Sequence, residues 1–192
     1  INAQNYESLW KEYDKNIDNL LPESAGKTLD KIENQAVKDK NDVQLLKMVI
    51  KRCEIFGMTA ENPDDTIVIY CKSYLPKLSG PSQIILNCEV AKHTYKFDDI
   101  LEYKDNDFIK TVSMNDYVDI FQNSTEKIDY DITLEPTLYD YVMHCLINHY
   151  SFDTEEELYE KLLNFDLDNN YIKAYYNNRI RQLGYIYNEE DY

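Results

Sequence analysis

The stretch "NYESLWKEYDKNIDNLLPESAGKTLDKIENQAVKDKNDVQLLKMVIKR", residues 5–52, determines which fold class the chain is predicted to adopt. Its apolar residues recur every three or four positions, which is the spacing of amphipathic helices. Pro22 suits a first helical turn, Asp42 is predicted to cap a third helix, and that helix is expected to end near Gly57. The three apolar stripes are Tyr6, Leu9, Trp10, Tyr13, Ile17 and Leu20, then Ala25, Leu29, Ile32 and Ala36, then Leu45, Leu46, Val49, Ile50, Cys53 and Phe56.

Helices joined by short polar turns pack as antiparallel hairpins, and the next segment repeats the plan. Asn62 is predicted to cap a fourth helix with Pro63 in its first turn, and a fifth helix follows the "SGPS" break. The run "TIVIYC" alone favours a strand, but the wider spacing favours a helix. The second hairpin starts about 40 residues after the first, as in helix-pair solenoids, although no tetratricopeptide signature recurs. The two stripes are Ile67, Cys71, Tyr74 and Leu78, then Ile84, Cys88, Ala91 and Tyr95.

The rest of the chain is less periodic. Residues 97–112 are predicted to form a long irregular packed loop, and three capping boxes after it predict further helices. The sequence therefore predicts an all-α fold of about nine helices in antiparallel αα-hairpins, similar to a solenoid or to tetratricopeptide (TPR) repeats. The capping pairs are Ser113 and Asp116, Thr137 and Asp140, and Thr154 and Glu157, and the helices are predicted near 114–127, 137–150, 155–165 and 170–183, the last ending at Gly184.

The length of 192 residues is typical of one domain. We predict a single helical domain over residues 5–187, as a fragment of a longer protein, and a polar tail at 188–192 where the fragment is cut. Residues 1–4 resemble the end of a signal peptide, with the small residue Ala3 at the cleavage position. An arbitrary boundary explains the same residues equally well.

The formal net charge of −16 argues against nucleic acid as a partner. Phosphate backbones are bound by clustered Lys and Arg, and the nearest candidates here, at 38–40 and 47–52, are interleaved with acidic or apolar residues. No apolar run approaches the ~20 residues that cross a bilayer, so we predict no membrane-spanning segment.

The four cysteines are predicted to be buried thiols rather than a metal site. No CxxC pair exists, and each cysteine lies on the apolar stripe of a different helix. A disulfide is the alternative if the chain is exported, and it requires Cα atoms within ~7 Å. These cysteines are Cys53, Cys71, Cys88 and Cys145.

The segment "PTLYDYVMHCLINHYS", residues 136–151, holds two of the three histidines, the third being His93. His144 and His149 are five residues apart, about 140° around a helix, so they cannot chelate one ion. Cys145 and His149 are four apart, but nothing marks further ligands. We interpret the segment as a core helix whose buried stripe is Leu138, Tyr141, Val142, Cys145 and His149, with Met143, Ile147 and Tyr150 on the other side and His144 placed for a contact with Asp140.

The motifs of common catalytic sites are missing from the sequence. It contains no GxSxG elbow, no phosphate-binding glycine loop and no HExxH. We therefore predict that the chain is not an enzyme, with no catalytic, cofactor-binding or metal-binding residues and no cofactor.

Residues 5–52 and the segment that begins at Pro136 resemble the N-terminal helical region of large exported bacterial alpha-2-macroglobulin family proteins. In the second of these stretches, Pro136–Asp140 is similar to a "PTLYD…H" segment of that region, and His144 falls where the family tends to place a histidine. The family's "DRT…TWD" run is not found between Phe97 and Asn115. The matching positions of the first stretch are Tyr6, Leu9, Trp10, Leu21, Pro22, Ser24, Ala25, Ala36, Asn41, Gln44, Leu45, Lys47 and Arg52.

The resemblance implies that the chain is the leading fragment of a longer protease-trapping protein. Many members carry a thioester in a CxEQ motif, and none of the four cysteines here lies in that motif. The implied role is a non-catalytic N-terminal docking module, exported to the periplasm or cell envelope. Its partners would be the remaining domains of the same chain, or another protein of the cell envelope, and proteases would be targets of the full-length protein.

Two alternatives stay open. The 18 tyrosines also suit a stand-alone TPR-like module of the periplasm or cell surface, which would bind peptides or proteins in a tyrosine-lined groove. The third interpretation is a hydrolase that uses His144 or His149.

Overall fold

The computed structural model describes residues 3–121 and 136–149, together with the isolated positions 174 and 178. Within those residues the regular elements are helical, apart from one antiparallel bridge between Ser113 and Thr137, which confirms the predicted all-α class. No helix in this part of the chain is both long enough and apolar enough to span a membrane. The α-helices are α1 (Ala3–Asp18), α2 (Pro22–Asp39), α3 (Asp42–Thr59), α4 (Pro63–Tyr74), α5 (Gly80–Thr94), α6 (Asp98–Leu101), α7 (Asp107–Lys110), α8 (Val118–Phe121) and α9 (Leu138–His149), and 3₁₀ turns lie at Leu75–Lys77, Glu102–Asp105 and Met114–Tyr117.

The described chain divides into two compact units. The first unit holds residues 3–94 and 116–121, with α1 to α5 and α8. The second holds residues 95–115 and 136–149, with α6, α7 and α9. Each unit contains fully buried apolar side chains, such as Leu29 in the first and Leu138 in the second.

The first three helices pack together through the apolar stripes that the sequence predicts, and most residues of these stripes are buried. Leu20 is an exception, because it was predicted on the stripe of α1 but is 85% exposed. The chain turns there with a left-handed φ of 57°, which directs Leu20 out of the helix. The stripe residues that are buried are Tyr6, Trp10, Tyr13, Ala25, Leu29, Ile32, Ala36, Leu45, Leu46 and Val49.

Both ends of α3 differ from the prediction. Asn41, not Asp42, is the N-cap, and its Oδ1 accepts a hydrogen bond from the Gln44 N–H at 3.1 Å. An N-cap residue has extended backbone, as Asn41 has, whereas Asp42 is already helical. The helix also passes through Gly57 and ends at Thr59. A glycine ends a helix where the backbone becomes left-handed, and Gly57 does not have a positive φ.

The helix predicted through "TIVIYC" is confirmed as α4. Asn62 occupies the N-cap position, but its side chain makes no capping hydrogen bond. Pro63 follows in the first turn, with two acidic residues after it near the positive helix end. The predicted position of the cap is therefore correct, while the predicted side-chain mechanism is wrong.

Residues 97–112 are not the long irregular loop that the sequence predicts. Two one-turn helices, α6 and α7, lie there on either side of a 3₁₀ turn. Asn106 caps α7 by accepting the Phe108 N–H at 3.0 Å, and Ile100 and Ile109 are fully buried. Single turns are shorter than the window over which hydrophobic periodicity is read, so the pattern could not reveal them.

The later predicted helices are only partly within the described residues. The helix predicted near 114–127 begins as a 3₁₀ turn and continues as α8 to Phe121. The helix predicted near 137–150 is confirmed as α9. The helices predicted near 155–165 and 170–183 lie outside the described ranges, as do the Thr154 capping box, the tail at 188–192 and residues 1 and 2.

Candidate functional site

The segment that carries two of the three histidines forms α9, as predicted. Thr137 and Asp140 make both bonds of the capping box. The Thr137 N–H donates to Asp140 Oδ2 at 3.1 Å, and the Asp140 N–H donates to Thr137 Oγ1 at 3.2 Å. The Leu138 N–H donates to the carbonyl of Val112 at 2.9 Å, which ties the start of α9 to the preceding segment of the same unit.

Burial supports the interpretation of α9 as a core helix. Of the nine residues from 138 to 146, eight are buried, and His144 is partly exposed. The buried set includes Cys145 and the predicted stripe residues Leu138, Tyr141 and Val142. The side chains of Ile147, His149 and Tyr150 lie outside the described set, so their predicted positions are untested.

The structure brings together two cysteines that the sequence could not pair. The Sγ atoms of Cys53 on α3 and Cys71 on α4 lie 3.4 Å apart. All four cysteines are thiols; Cys53 is half-buried and the other three are buried, as predicted. In the parts of the chain that are described, no three His, Cys, Asp or Glu side chains are grouped so that they could hold a metal ion.

A cluster of charged residues lies between α1 and α3, and we call Asp14, Lys47, Lys51 and Glu54 the α1–α3 charge cluster. Lys51 is 4% exposed, and its Nζ lies 2.7 Å from Glu54 Oε1. The Lys47 Nζ lies 4.5 Å from the centroid of the Trp10 ring, a cation–π distance. Asp14 interacts electrostatically with both lysines. The Lys51–Glu54 pair thus lies within α3, whereas the contacts of Asp14 and Lys47 join α1 to α3.

Burial shifts the pKa values of Asp14, Glu54 and Lys47 in the directions that favour their neutral forms. It raises the pKa of Asp14 and of Glu54, with the lysine charges acting in the opposite direction. It lowers the pKa of Lys47, against the attraction of Asp119 on α8. Such shifts occur in catalytic sites and also in structural ion networks. The pKa shifts alone therefore assign no catalytic role to this cluster.

A second cluster joins α2, α3 and α4, and we call Glu33, Phe56, Tyr70, Tyr74 and Lys77 the tyrosine cluster. The Tyr74 hydroxyl donates to Glu33 Oε1 at 2.5 Å, and the Lys77 Nζ lies 3.8 Å from the centroid of the Tyr74 ring. Tyr70 makes ring contacts with Phe56 and Tyr74 at centroid distances of 5.1 and 4.8 Å. Burial is the main cause that raises the pKa of Tyr74, and the bond to Glu33 adds to it. The cluster holds neutral tyrosines between helices.

Most described tyrosines are used inside the protein rather than on a surface. Nine tyrosines fall in the described ranges; six are buried, Tyr70 and Tyr103 are half-buried, and Tyr95 is 67% exposed. A tyrosine-lined groove would need several exposed rings side by side. The described residues therefore give that alternative no support. The six buried tyrosines are Tyr6, Tyr13, Tyr74, Tyr117, Tyr139 and Tyr141.

A cavity of about 340 Å³ lies where α3 and α5 begin. Asp42 Oδ2 accepts hydrogen bonds from the N–H and the hydroxyl of Ser79, at 3.1 and 2.6 Å. Tyr117 and Asp39 also line the cavity, and Asp39 accepts the Tyr6 hydroxyl at 3.0 Å. The acidic side chains of the cavity, Asp39 and Asp42, thus already accept hydrogen bonds from other residues of the protein. We interpret the cavity as a gap in the packing between helices.

No protein-family model matches this chain, and neither a curated protein nor a solved structure is significantly similar to it. The class of protein is thus defined by the described fold alone, as all-helical. The resemblance to the alpha-2-macroglobulin family stays a prediction from the sequence.

Proposed function

We propose that this chain is a non-catalytic helical docking module whose stacked helix pairs bind other domains of the same protein. The observation that supports this proposal is the order of contacts between helices in the first unit. Consecutive helices pack on each other from α1 to α5, and contacts also skip one helix along the chain.

Three polar contacts connect parts of the chain that are separated by one helix in the sequence order. The Trp10 Nε1–H on α1 donates to Gln44 Oε1 on α3 at 2.7 Å. Glu33 on α2 accepts the hydroxyl of Tyr74 on α4. Asp42 at the start of α3 accepts from Ser79, directly before α5. Thus α1 contacts α3, α3 contacts α5, and α2 contacts α4.

This pattern is what a two-layer stack of helix pairs requires, and it supports the proposal of a solenoid-like or TPR-like arrangement. Such stacks present extended surfaces, and their usual task is binding rather than catalysis. The setting that we propose is the N-terminal region of an exported alpha-2-macroglobulin-like protein in the periplasm or cell envelope. It rests on the resemblance of residues 5–52 and 136–140, which form α1 to α3 and the capped start of α9.

The charge of the chain indicates the chemistry of its partner surface. A net charge of −16 favours a partner face rich in Lys and Arg, because complementary charge speeds association. Attraction between exposed charges is screened by salt. Binding to the later domains should therefore weaken as ionic strength rises.

The test begins with the gene. The reading frame past Tyr192 is sequenced, the region that it encodes is purified, and its binding to the 192-residue chain is measured by calorimetry at low and high salt. We expect association with a Kd near or below about 1 μM at low salt, and weaker binding at high salt. A reading frame without further domains, or purified pieces that do not associate, would refute the proposal.

Two exposed apolar residues can be used to test which layer of helices binds the partner, the layer of α2 and α4 or the layer of α1, α3 and α5. Ile69 on α4 is 72% exposed and Met58 on α3 is 60% exposed, so each can be replaced by Asp at little cost to folding. If α2 and α4 form the docking layer, Ile69→Asp weakens binding and Met58→Asp does not. The reverse result assigns docking to the odd-numbered helices.

A further inference from the structure

We propose that Cys53 on α3 and Cys71 on α4 are a dithiol pair that oxidises to an intramolecular disulfide linking the two helices. Their Sγ atoms are 3.4 Å apart, and the residues are 18 positions apart in the chain. A disulfide bond is about 2.05 Å long, so the sulfurs need to approach by about 1.4 Å. The inference does not depend on the docking proposal, because it concerns the interior contact of α3 with α4.

Neighbouring contacts hold the two helices together at the level of this pair. Phe56, one turn after Cys53, makes an edge contact with the ring of Tyr70, which directly precedes Cys71. The Tyr70 hydroxyl lies 3.6 Å from Sδ of Met48 on α3. The thiols are therefore positioned by the packing of α3 on α4, which raises the effective concentration of one thiol at the other.

The two thiols differ in solvent exposure, and this difference determines which thiol reacts with the oxidant first. Cys53 is half-buried, whereas Cys71 is 1% exposed. A small-molecule disulfide reaches Cys53 first, so Cys53 is the attacking thiol and Cys71 is the resolving thiol.

The reaction proceeds by two thiol–disulfide exchanges with a low-molecular-weight disulfide as the oxidant. The Cys53 thiolate attacks one sulfur of the reagent, forms a mixed disulfide and releases one small thiol. The Cys71 thiolate then attacks Sγ of Cys53 and releases the second small thiol. Two protein thiols lose two electrons and two protons, and the reagent is reduced to two thiols that carry those protons.

The surroundings of Cys53 make this exchange slow at neutral pH. The hydrogen bond with Cys71 and then burial raise the pKa of the Cys53 thiol, and the carboxylates of Glu89 and Glu54 raise it further. Little thiolate is therefore present to start the exchange. The pair stays reduced in a reducing compartment and oxidises in a persistently oxidising one, such as an exported protein meets.

The test uses the 192-residue chain in reduced and oxidised glutathione at a series of ratios, incubated to equilibrium. Samples are acid-quenched, alkylated, digested without reductant and mapped by mass spectrometry. We expect one cross-linked peptide that joins Cys53 to Cys71, with Cys88 and Cys145 alkylated. The oxidised protein should melt roughly 5–10 °C higher than the reduced one, and dithiothreitol should reverse the shift.

Variants separate this pair from the other thiols. Cys53→Ser and Cys71→Ser should each abolish the cross-link and the melting shift, while the matched control Cys145→Ser, in the second unit, retains both. The map of the unmodified sequence decides the matter even if one variant folds poorly. A mixed disulfide that persists on Cys53 while Cys71 is alkylated, or a cross-link to another cysteine, would overturn the proposal.

Discussion

Helices α3 and α9 both place several side chains in the cores of their units, but the two helices differ in the polar groups that they bury. From residue 138 to 146, α9 is buried at every position except His144, and Asp140 is its only buried charged residue there. On α3, the buried residues include Lys51, and partly buried polar side chains reach α1 and α2. Arg52 Nη2, for example, lies 2.6 Å from Asp30 Oδ1 on α2.

This difference between the two helices distinguishes the contacts that stabilise a helix from the contacts that determine which helices it packs against. Apolar burial is strong but non-directional, so the burial of α9 stabilises its unit without by itself specifying a neighbour. Hydrogen bonds and ion pairs need a particular partner at a particular distance, and an unpaired group is costly when buried. The polar contacts of α3 therefore select α1 and α2 as its neighbours, while its apolar stripe supplies most of the stabilisation.

The largest effect should come from the apolar packing of α9. Leu146 is fully buried, so Leu146→Ala removes buried carbons, leaves a cavity, and should lower the free energy of unfolding by about 2–5 kcal/mol. Urea denaturation followed by circular dichroism measures the change. Ile69→Ala, at a 72% exposed position of α4, is the control and should change it by less than about 0.5 kcal/mol. Equal stabilities of the two variants would contradict the apolar account of α9.

A smaller effect is expected at the start of the same helix. Thr137→Ala removes the hydroxyl that accepts the Asp140 N–H and should cost about 0.5–2 kcal/mol of unfolding free energy. Thr137→Ser keeps that hydroxyl and should retain most of the stability. If the two variants are equally destabilised, the lost methyl group and not the cap is responsible.

The selection of neighbours by α3 can be tested with a double-mutant cycle. Trp10→Phe and Gln44→Ala each break the 2.7 Å hydrogen bond between α1 and α3, so their effects on unfolding should not add. We expect a coupling of about 1 kcal/mol from urea denaturation of the two single variants and the double variant. A coupling near zero would mean that this hydrogen bond does not help α3 to select α1 as its neighbour.

The smallest effect concerns pH. Burial raises the pKa of Asp14, so the folded protein binds this proton more readily than the unfolded chain does. Stability from this group therefore increases as pH falls from neutral towards the ordinary aspartate value of 3.8. Asp14→Asn removes that dependence and should be more stable than the parent by the largest margin near neutral pH.

The measurement for Asp14 is urea denaturation of both proteins at several pH values between about 5 and 7.5. Glu61→Gln, at an exposed position between α3 and α4, controls for the loss of one negative charge. A stability difference between Asp14→Asn and the parent that does not shrink with falling pH would show that the carboxyl titrates as it does in the unfolded chain.

The predictions from sequence were correct where many apolar residues repeated at helical spacing along the chain. Eight side chains confirm the stripes of α1 to α3 at full or nearly full burial, because each stripe extends over several turns: Tyr6, Tyr13, Leu29, Ile32, Ala36, Leu45, Leu46 and Val49. The capping box of Thr137 and Asp140 was also found, since its two partners are three residues apart. Leu20, Asp42, Tyr95 and residues 97–112 were predicted wrongly, because single turns, caps and helix ends depend on the local backbone angles of one or two residues.

The sequence by itself determined the helical class and the inward faces of the described long helices, because periodicity records which side of a helix avoids water. Only the tertiary structure decided which faces meet. It placed Cys53 against Cys71, Trp10 against Gln44 and Lys51 beside Glu54 in a buried setting. The first two contacts join residues far apart in the chain, and all three depend on how neighbouring helices pack. No local pattern in the chain encodes that packing, because it results from the combined shapes and charges of several helices.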